Sequence, residues 1–481
     1  MSLKSWARAP RIRRGLAAAA VVLAAGGLVL FRADAKTTSP YPLYTPPDTV
    51  LPAGSNVSSF AGPGVHGTFG LSHSNVLAGG TRQLFADVTL VADPSAQARE
   101  SAPLAMAIAL DTSGSMSGDK IAQARSAISR LLRDMKDSDD VALVRYSDSA
   151  ELVQPLARVG SIRESLIARV NALQAGGGTA IPLGLEKALD ALAGEHSGRV
   201  RRVVLVSDGL DSSRAQSEQL ARSSFGRGIV ISSMGIGLDF DESYMGGLAR
   251  AGHGNFGFVN DGPALAMFLK RELEETAGTT VEGASVRVAL PAGVRFVRAT
   301  GADAQADGSG VLLQVGSMFA GEERRVLVEL SANMNEGSTG QVYGSASWQR
   351  VGSGPGTASI PALALVAVAD PAQVDRSRDG TVLARAASVT ASERQLEASE
   401  AYAKGDNRRA DALIDQNIAA LHAARAFAPA PMASALAAQS SSYESTKQTF
   451  DSVAPSSTAG KIHAKASAAK NFANSAGASS F

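Results

Sequence analysis

Asp111, Ser113 and Ser115 share the run Asp111-Thr112-Ser113-Gly114-Ser115, directly behind an apolar stretch at 105–110. A carboxylate and several hydroxyls on one tight turn are hard oxygen donors, and a hard divalent cation prefers a compact oxygen shell. Two more oxygen donors stand in comparable places. Thr179 follows Gly176-Gly177-Gly178, where bare backbone can approach closely, and Asp208 follows the apolar run 203–206. Two carboxylates match the charge of a divalent ion, and hydroxyls fill further positions without adding charge. Water and protein oxygens can complete the octahedron that Mg²⁺ demands. If the carboxylates ligate mainly through water, the ion stays electrophilic and favours a carboxylate brought by a partner. That chemistry is adhesion by coordination and breaks no bond. By itself Asp-x-Ser-x-Ser also reads as a helix cap, with Asp111 or Ser113 satisfying backbone N–H groups. Thr179 and Asp208 turn the reading towards a site for a divalent cation. Asp119 and Asp211 lie nearby, and loop solvation and helix capping account for them.

Such a site needs strands that end together. Between 103 and 278 strands and helices alternate. Continuous apolar runs at 105–110, 141–146, 203–206 and 229–234 read as buried strands, and 120–135, 161–173, 182–193 and 263–275 as helices. Repeated strand–helix units imply an α/β fold of the doubly wound class, with a mostly parallel sheet covered on both faces. The short link from Asp148 to a strand at 150–156 suggests one antiparallel edge. Ligands of open parallel sheets bind beyond the carboxyl ends of the strands, where Asp111 and Asp208 fall.

The flanks differ in character. Short strands separated by Gly, Pro and Asn over 279–370 indicate a β-sandwich-like domain. Strands within 64–100 would complete it, making the α/β unit an insertion. Residues 385–427 carry apolar positions at helical spacing, with a break near Gly405-Asp406, and read as a helical hairpin. Residues 428–481 are rich in Ala, Ser and Lys with few large apolar side chains, and are expected to be a low-complexity tail of fraying helix or disorder. At the other end, Lys4, Arg8, Arg11, Arg13 and Arg14 precede an uncharged run at 16–31, and Ala33-Asp34-Ala35 has the spacing of a signal-cleavage site. Residues 1–36 therefore read as a signal peptide or an uncleaved membrane anchor, and 37–63 as a linker.

Composition narrows the function. The chain has 481 residues, too many for one ordinary core. Its 46 Lys and Arg balance 45 Asp and Glu, which leaves no global basic field for nucleic acid. With no cysteine there are no thiolate metal sites, cysteine nucleophiles or disulfides, and an exported chain without cysteine looks bacterial. No two of the six histidines have zinc-site spacing, and neither a Gly-x-Ser-x-Gly elbow nor a phosphate-binding P-loop occurs. His253 reads as a turn or packing residue. The chain is accordingly not read as an enzyme.

The five positions Asp111, Ser113, Ser115, Thr179 and Asp208 resemble the metal-ion-dependent adhesion motif of the von Willebrand factor A family: Asp-x-Ser-x-Ser, then a distant Thr, then a distant Asp before Gly. The resemblance spans about 103–278 and includes Asp119-Lys120 and the Gly252-His253-Gly254-Asn255 turn. The flanking β segments are similar in layout to bacterial relatives of inter-alpha-trypsin inhibitor heavy chains. The resemblance implies a Mg²⁺ or Mn²⁺ site that binds acidic groups on protein ligands. With the export segment it leads to an expected periplasmic, membrane-anchored or cell-surface binding module. Two other readings use the same residues: an envelope scaffold in which the ion only staples loops, and an accessory subunit of an ATPase-type complex.

Overall fold

The computed structural model describes residues 56–94, 103–194, 198–208, 211–259 and 261–476. The expected signal or anchor at 1–36 and most of the 37–63 linker lie outside these. The strands Val57–Gly62 (β1), Val65–Leu71 (β2), Asn75–Leu77 (β3) and Arg82–Ala92 (β4) open the described chain. The linker thus stops short of residue 63. Val57 to Gly62 pair antiparallel with β2 across a turn at Gly64, whose φ is 80°, and Phe60 enters the core.

The α/β unit follows. Its elements are Leu104–Asp111 (β5), Asp119–Asp134 (α1), Asp140–Tyr146 (β6), Ala150–Arg158 (β7), Val159–Ala172 (α2), Ile181–Ala193 (α3), Val200–Ser207 (β8), Arg214–Phe225 (α4), Ile229–Ile236 (β9), Glu242–Ala251 (α5), His253–Val259 (β10) and Gly262–Ala277 (α6). The sheet order is β10-β9-β8-β5-β6-β7. All pairs are parallel except β6 with β7, the antiparallel edge that the short link after Asp148 implied.

Alternation along β5 decides which helix lies on which face. Leu104, Met106, Ile108 and Leu110 pack with Ile121, Ile128 and Leu132 of α1 and with Leu269 of α6. Ala105, Ala107 and Ala109 point the other way, where their small side chains admit Ile181 and Leu185 of α3. The helix after β5 is therefore on one face, while Ala221 of the helix after β8 is on the other. The winding of the sheet reverses between the parallel strands β5 and β8, which opens the crevice at their carboxyl ends. The last helix of the unit is pinned to the sheet by a buried network. Glu272 receives Arg202, the Ser232 hydroxyl (2.6 Å) and the Asn255 amide (2.7 Å).

The strands Thr279–Ala289 (β11), Val294–Thr300 (β12), Asp303–Asp307 (β13), Gly310–Phe319 (β14), Glu323–Ala332 (β15), Thr339–Arg350 (β16) and Gly354–Val368 (β17) complete two further sheets. One has the order β1-β2-β4-β15-β12 and the other β13-β14-β11-β16-β17-β3. Leu84, Val88 and Leu90 share one core with Val286, Val328, Trp348 and Leu365. Strands on both sides of the α/β unit thus build one sandwich, and the α/β unit is inserted between β4 and β11.

The C-terminal region corrects an expectation. After the short helix Pro371–Arg376 (α7), four long helices form a bundle: Gly380–Ala403 (α8), Asn407–Arg425 (α9), Ala430–Ser452 (α10) and Thr458–Ser475 (α11). Residues 430–452 and 458–475 of the expected fraying tail are packed helices, and 477–481 lie outside the described residues. The reason is the seam. Ala384, Ser388, Ala391, Gln395, Ala398 and Tyr402 of α8 recur at alternating steps of four and three, as do Ala410, Ile414, Asn417, Leu421 and Ala424 of α9, and all are buried. Small seam residues let helices approach closely, and a few rings fill what remains. Tyr402 and Phe450 stack with centroids 3.8 Å apart. The Tyr443 hydroxyl donates to Asn471 at 2.7 Å and accepts from Gln439 at 2.8 Å. The bundle is tied to its neighbours by a buried ion pair between Arg385 and Asp87 of β4, and by Phe472, whose ring meets Phe256 edge-on at 5.5 Å. Among the described residues no helix is long and apolar enough to cross a membrane.

Candidate metal centre

The crevice between β5 and β8 receives the donors. Asp111 ends β5, and its next residue is anchored to β6: the Thr112 amide donates to Tyr146 O at 2.8 Å and its hydroxyl to the same oxygen at 3.1 Å. Asp208 follows β8 at once, in register beside it. Asp111 is 0% and Asp208 1% exposed, whereas Ser115 stands in solvent and Thr179 is half-buried. The site is thus a buried pair of carboxylates beneath a hydroxyl rim.

Four of the five expected donors join in one hydrogen-bonded chain. Asp111 Oδ1 accepts the Ser113 amide at 2.8 Å, the Ser113 and Ser115 hydroxyls lie 3.0 Å apart, and the Ser115 hydroxyl donates to Asp208 Oδ1 at 2.7 Å. Thr179 is half-buried two residues beyond Gly177, and among the described residues its side chain makes no hydrogen bond to the other four. The loop itself is fastened to the Asp111 turn: the Gly114 amide donates to Gly177 O at 2.9 Å and the Gly176 amide to Thr112 O at 2.7 Å. Asp148 completes the clamp by accepting the Gly178 amide at 2.8 Å. The backbone favours glycine at Gly177, and at Gly178 a side chain would have to push the exposed Asp148 carboxylate aside. A Cβ on Gly178 would lie 2.3 Å from Asp148 Oδ1, and Gly177 has φ +85° with Asp148 Oδ2 2.5 Å from its would-be Cβ.

Burial pushes the Asp111 carboxyl above its usual range. Hydrogen bonds from Ser113 and Ser207 oppose that rise, and the charge of Asp208 adds to it. Burial and then the Asp111 charge also push the Tyr146 phenol well up. The pocket is short of positive charge around Asp111. Its donors are all oxygens, two carboxylates and several hydroxyls, a set that fits a hard cation. No group of three or more His, Asp or Glu side chains suited to a metal occurs among the described residues.

Residues outside the expected set also matter. The Ser207 hydroxyl donates to Asp111 Oδ2 at 2.6 Å, and the Lys120 ammonium is bonded to Asp208 Oδ2. Ser207 was visible as the residue before Asp208. Lys120 was visible in the second position of α1, whose first turn faces the carboxyl end of β5. Asp211 caps α3 and its own turn, accepting the Ile181 and Ser213 amides at 2.7 Å each. His253 is a packing residue with φ 55°. It stacks on Phe225 at 3.7 Å and meets Asp303 Oδ2 at 3.3 Å, joining the α/β unit to the sandwich.

A parallel sheet with one antiparallel edge, donors at the β5–β8 crevice and a match over 106–271 to the family model agree. Residues 106–271 are a von Willebrand factor type A domain. Among relatives of the whole chain, YfbK of Escherichia coli (strain K12) is 25% identical over 242 residues, which cover 48% of this chain and 42% of YfbK. Protein sll0103 of Synechocystis sp. is 24% identical over 175 residues, covering 36% and 41%. The chain therefore spans about two fifths of the length of these relatives. A von Willebrand factor type A structure from Catenulispora acidiphila superposes with a TM-score of 0.62 at 21% identity, over 82% of this chain and 90% of that one. The ArnB paralog VWA2 from Sulfolobus acidocaldarius gives 0.54 at 13% identity, over 88% and 99%. Both matches run well beyond the A domain and show that the flanking sheets and helices belong to the shared fold.

Proposed function

We propose that this chain is an exported protein-binding module that grips a partner's carboxylate through a divalent cation, Mg²⁺ or Mn²⁺. Asp111, Ser113, Ser115, Thr179 and Asp208 would hold the ion as an intact adhesion motif. When bound, the ion supplies an electrophilic point for a carboxylate oxygen. The observation that carries the reading is the hydrogen-bonded chain from Asp111 through Ser113 and Ser115 to Asp208, set at the crevice between β5 and β8. A-domain proteins commonly serve in protein interaction or adhesion, and a solvent-facing hydroxyl rim over buried carboxylates suits that role. The insertion of the A domain between β4 and β11 supports a layout like bacterial relatives of inter-alpha-trypsin inhibitor heavy chains. Residues 1–36 would export or anchor the chain, so that it works at the periplasmic side or surface of a bacterial envelope. We assign it no catalytic residue and no nucleic-acid partner.

Calorimetric titration of the full chain with MgCl₂ and MnCl₂ tests the ion. Uptake by the native chain and none by Asp208→Ala is expected. Failure of the native chain to take up either ion would remove the reading. Capture of partners from envelope extract in Mg²⁺ and in EDTA tests the rest. Binding that is unchanged in EDTA would favour an envelope scaffold, and an ATPase as the captured species would favour an accessory subunit.

A further inference from the structure

Asp208 has two occupants already. Oδ1 accepts the Ser115 hydroxyl, and Oδ2 holds the Lys120 ammonium. A divalent cation on the Ser113–Ser115–Asp208 chain would therefore meet a positive charge on the same carboxylate. Like charges a few ångströms apart repel by far more than thermal energy even at protein-surface dielectric. One of the two must give way. Asp208 is fixed, with its side chain at 0% exposure, while the Lys120 side chain is 27% exposed and long. Its path away from Asp208 is visible. The stem runs along the turn after β9, where Gly237 has φ +79° and a would-be Cβ would lie 2.9 Å from Lys120 Cε and 3.3 Å from Nζ. Two residues on, Asp239 pairs with Lys461 of α11 at 3.1 Å. Its carboxyl is held below the usual range, first by the Lys461 hydrogen bond and further by the charges of Lys461, Lys120 and Lys465. Lys465 of the same helix donates to Phe240 O at 2.8 Å and pairs with Glu242 at 2.9 Å. The turn at 237–242 thus lies between the candidate metal centre and the C-terminal helix.

We propose that Lys120 is a movable counter-ion, which neutralises Asp208 when no divalent cation is bound and swings to Asp239 when one is. The proposal rests on the cation reading of Asp111 and Asp208 and adds its regulation. Lys120 sets the affinity below that of the bare carboxylates, because each binding event must first displace an ammonium. Its arrival at Asp239 competes with Lys461, so the packing of α11 on the turn responds to the state of the site.

The test is calorimetric titration with MgCl₂ of four full-length forms: native, Lys120→Met, Asp239→Asn and the double variant. Lys120→Met should bind Mg²⁺ about tenfold more tightly or better, a change of roughly 1.4 kcal/mol. In EDTA its Tm should fall, because Asp208 loses its countercharge, and the rise on adding Mg²⁺ should be larger than in the native chain. Asp239→Asn should weaken binding several-fold in the native background and leave it unchanged in the Lys120→Met background. Native binding together with equal or weaker binding by Lys120→Met would overturn the proposal. An Asp239→Asn effect of the same size in both backgrounds would overturn the swing to Asp239. If neither the native chain nor Lys120→Met takes up Mg²⁺, the cation reading itself fails and the proposal falls with it.

Discussion

Asp111→Asn separates what the site costs from what it does. The substitution keeps shape and hydrogen bonding. An amide oxygen can still accept the Ser113 amide, and the amide nitrogen can donate to Ser207 Oγ, which now donates to Asp111 at 2.6 Å. It removes one wholly buried negative charge that lies near a second. Each pH unit by which burial displaces a carboxyl upward costs about 1.4 kcal/mol of stability at neutral pH. In EDTA the variant should therefore melt above the native chain. The cost is present above the raised folded-state pKa, shrinks as pH falls through it, and is gone below the unfolded value of about 3.9. The gap between variant and native Tm should accordingly be widest near neutrality and close in acid. Added cation reverses the ranking. At a hundredfold excess over Kd a bound ligand stabilises by about 2.7 kcal/mol. For a domain of the A domain's size roughly 2–4 °C accompany each kcal/mol, so the native Tm should rise by roughly 5–11 °C. The variant should not respond. Differential scanning calorimetry in EDTA and across a Mg²⁺ series reads both effects. An equal Mg²⁺-dependent rise in the variant would refute the assignment of Asp111 to the ion. A large loss of stability in EDTA would make Asp111 a structural residue.

Two further outcomes follow from the packing of the bundle. Arg385→Ala leaves Asp87 buried without its partner and should cost about 3–5 kcal/mol in urea unfolding, whereas the paired change Asp87→Leu with Arg385→Met should cost far less. Phe472→Ala removes a nearly buried ring that meets Phe256 and lies under Arg250 at 5.4 Å. It should cost about 3–5 kcal/mol and strip α11 of amide-exchange protection before α9.

The A domain was legible because its two periodicities are strong and agree. Uninterrupted apolar strands such as 105–110 and 203–206 can only be buried on both faces, and helices such as 120–135 carry one clear apolar stripe. Asp111 and Asp208 were legible as a pair because each follows such a strand at once. Lys120 was legible in place but not in role, since nothing in a linear pattern says that the first turn of α1 brings its ammonium to a residue 88 positions away. The bundle misled for a definite reason. Weighing large apolar residues finds little in 428–476, because much of the seam is Ala, Ser, Asn and Gln. The signal was the spacing of the few large ones, Leu436, Tyr443 and Phe450, each seven residues from the next and all buried. Some of the polar seam residues pair with one another, as Asn417 does in donating to Gln395 Oε1 at 3.1 Å, while the buried Gln395 Nε2 and Ser440 hydroxyl have no partner among the described residues.

How the donor loops are held bears on what an ion would be for. The Asp111 turn and the Gly176–Gly178 loop are joined by two backbone hydrogen bonds, Asp148 clamps the loop from the far side, and Asp211 ties the start of α3 to the turn before α4. Protein groups alone therefore fix the loops, and two glycines are spent on letting the Asp148 clamp close. A cation would add little to a structure already bonded in this way, which weighs against an ion that merely staples loops. What the protein groups leave unbalanced is charge: two carboxylates out of water, Asp111 pushed upward in pKa by burial and Asp208 paired with the partly exposed Lys120 ammonium. An arrangement that fixes its geometry by backbone and leaves its electrostatics unfinished is preorganised for a ligand that brings positive charge and little else. The exposed Ser115 lies on the solvent side of this arrangement, where a second ligand would meet any cation held there.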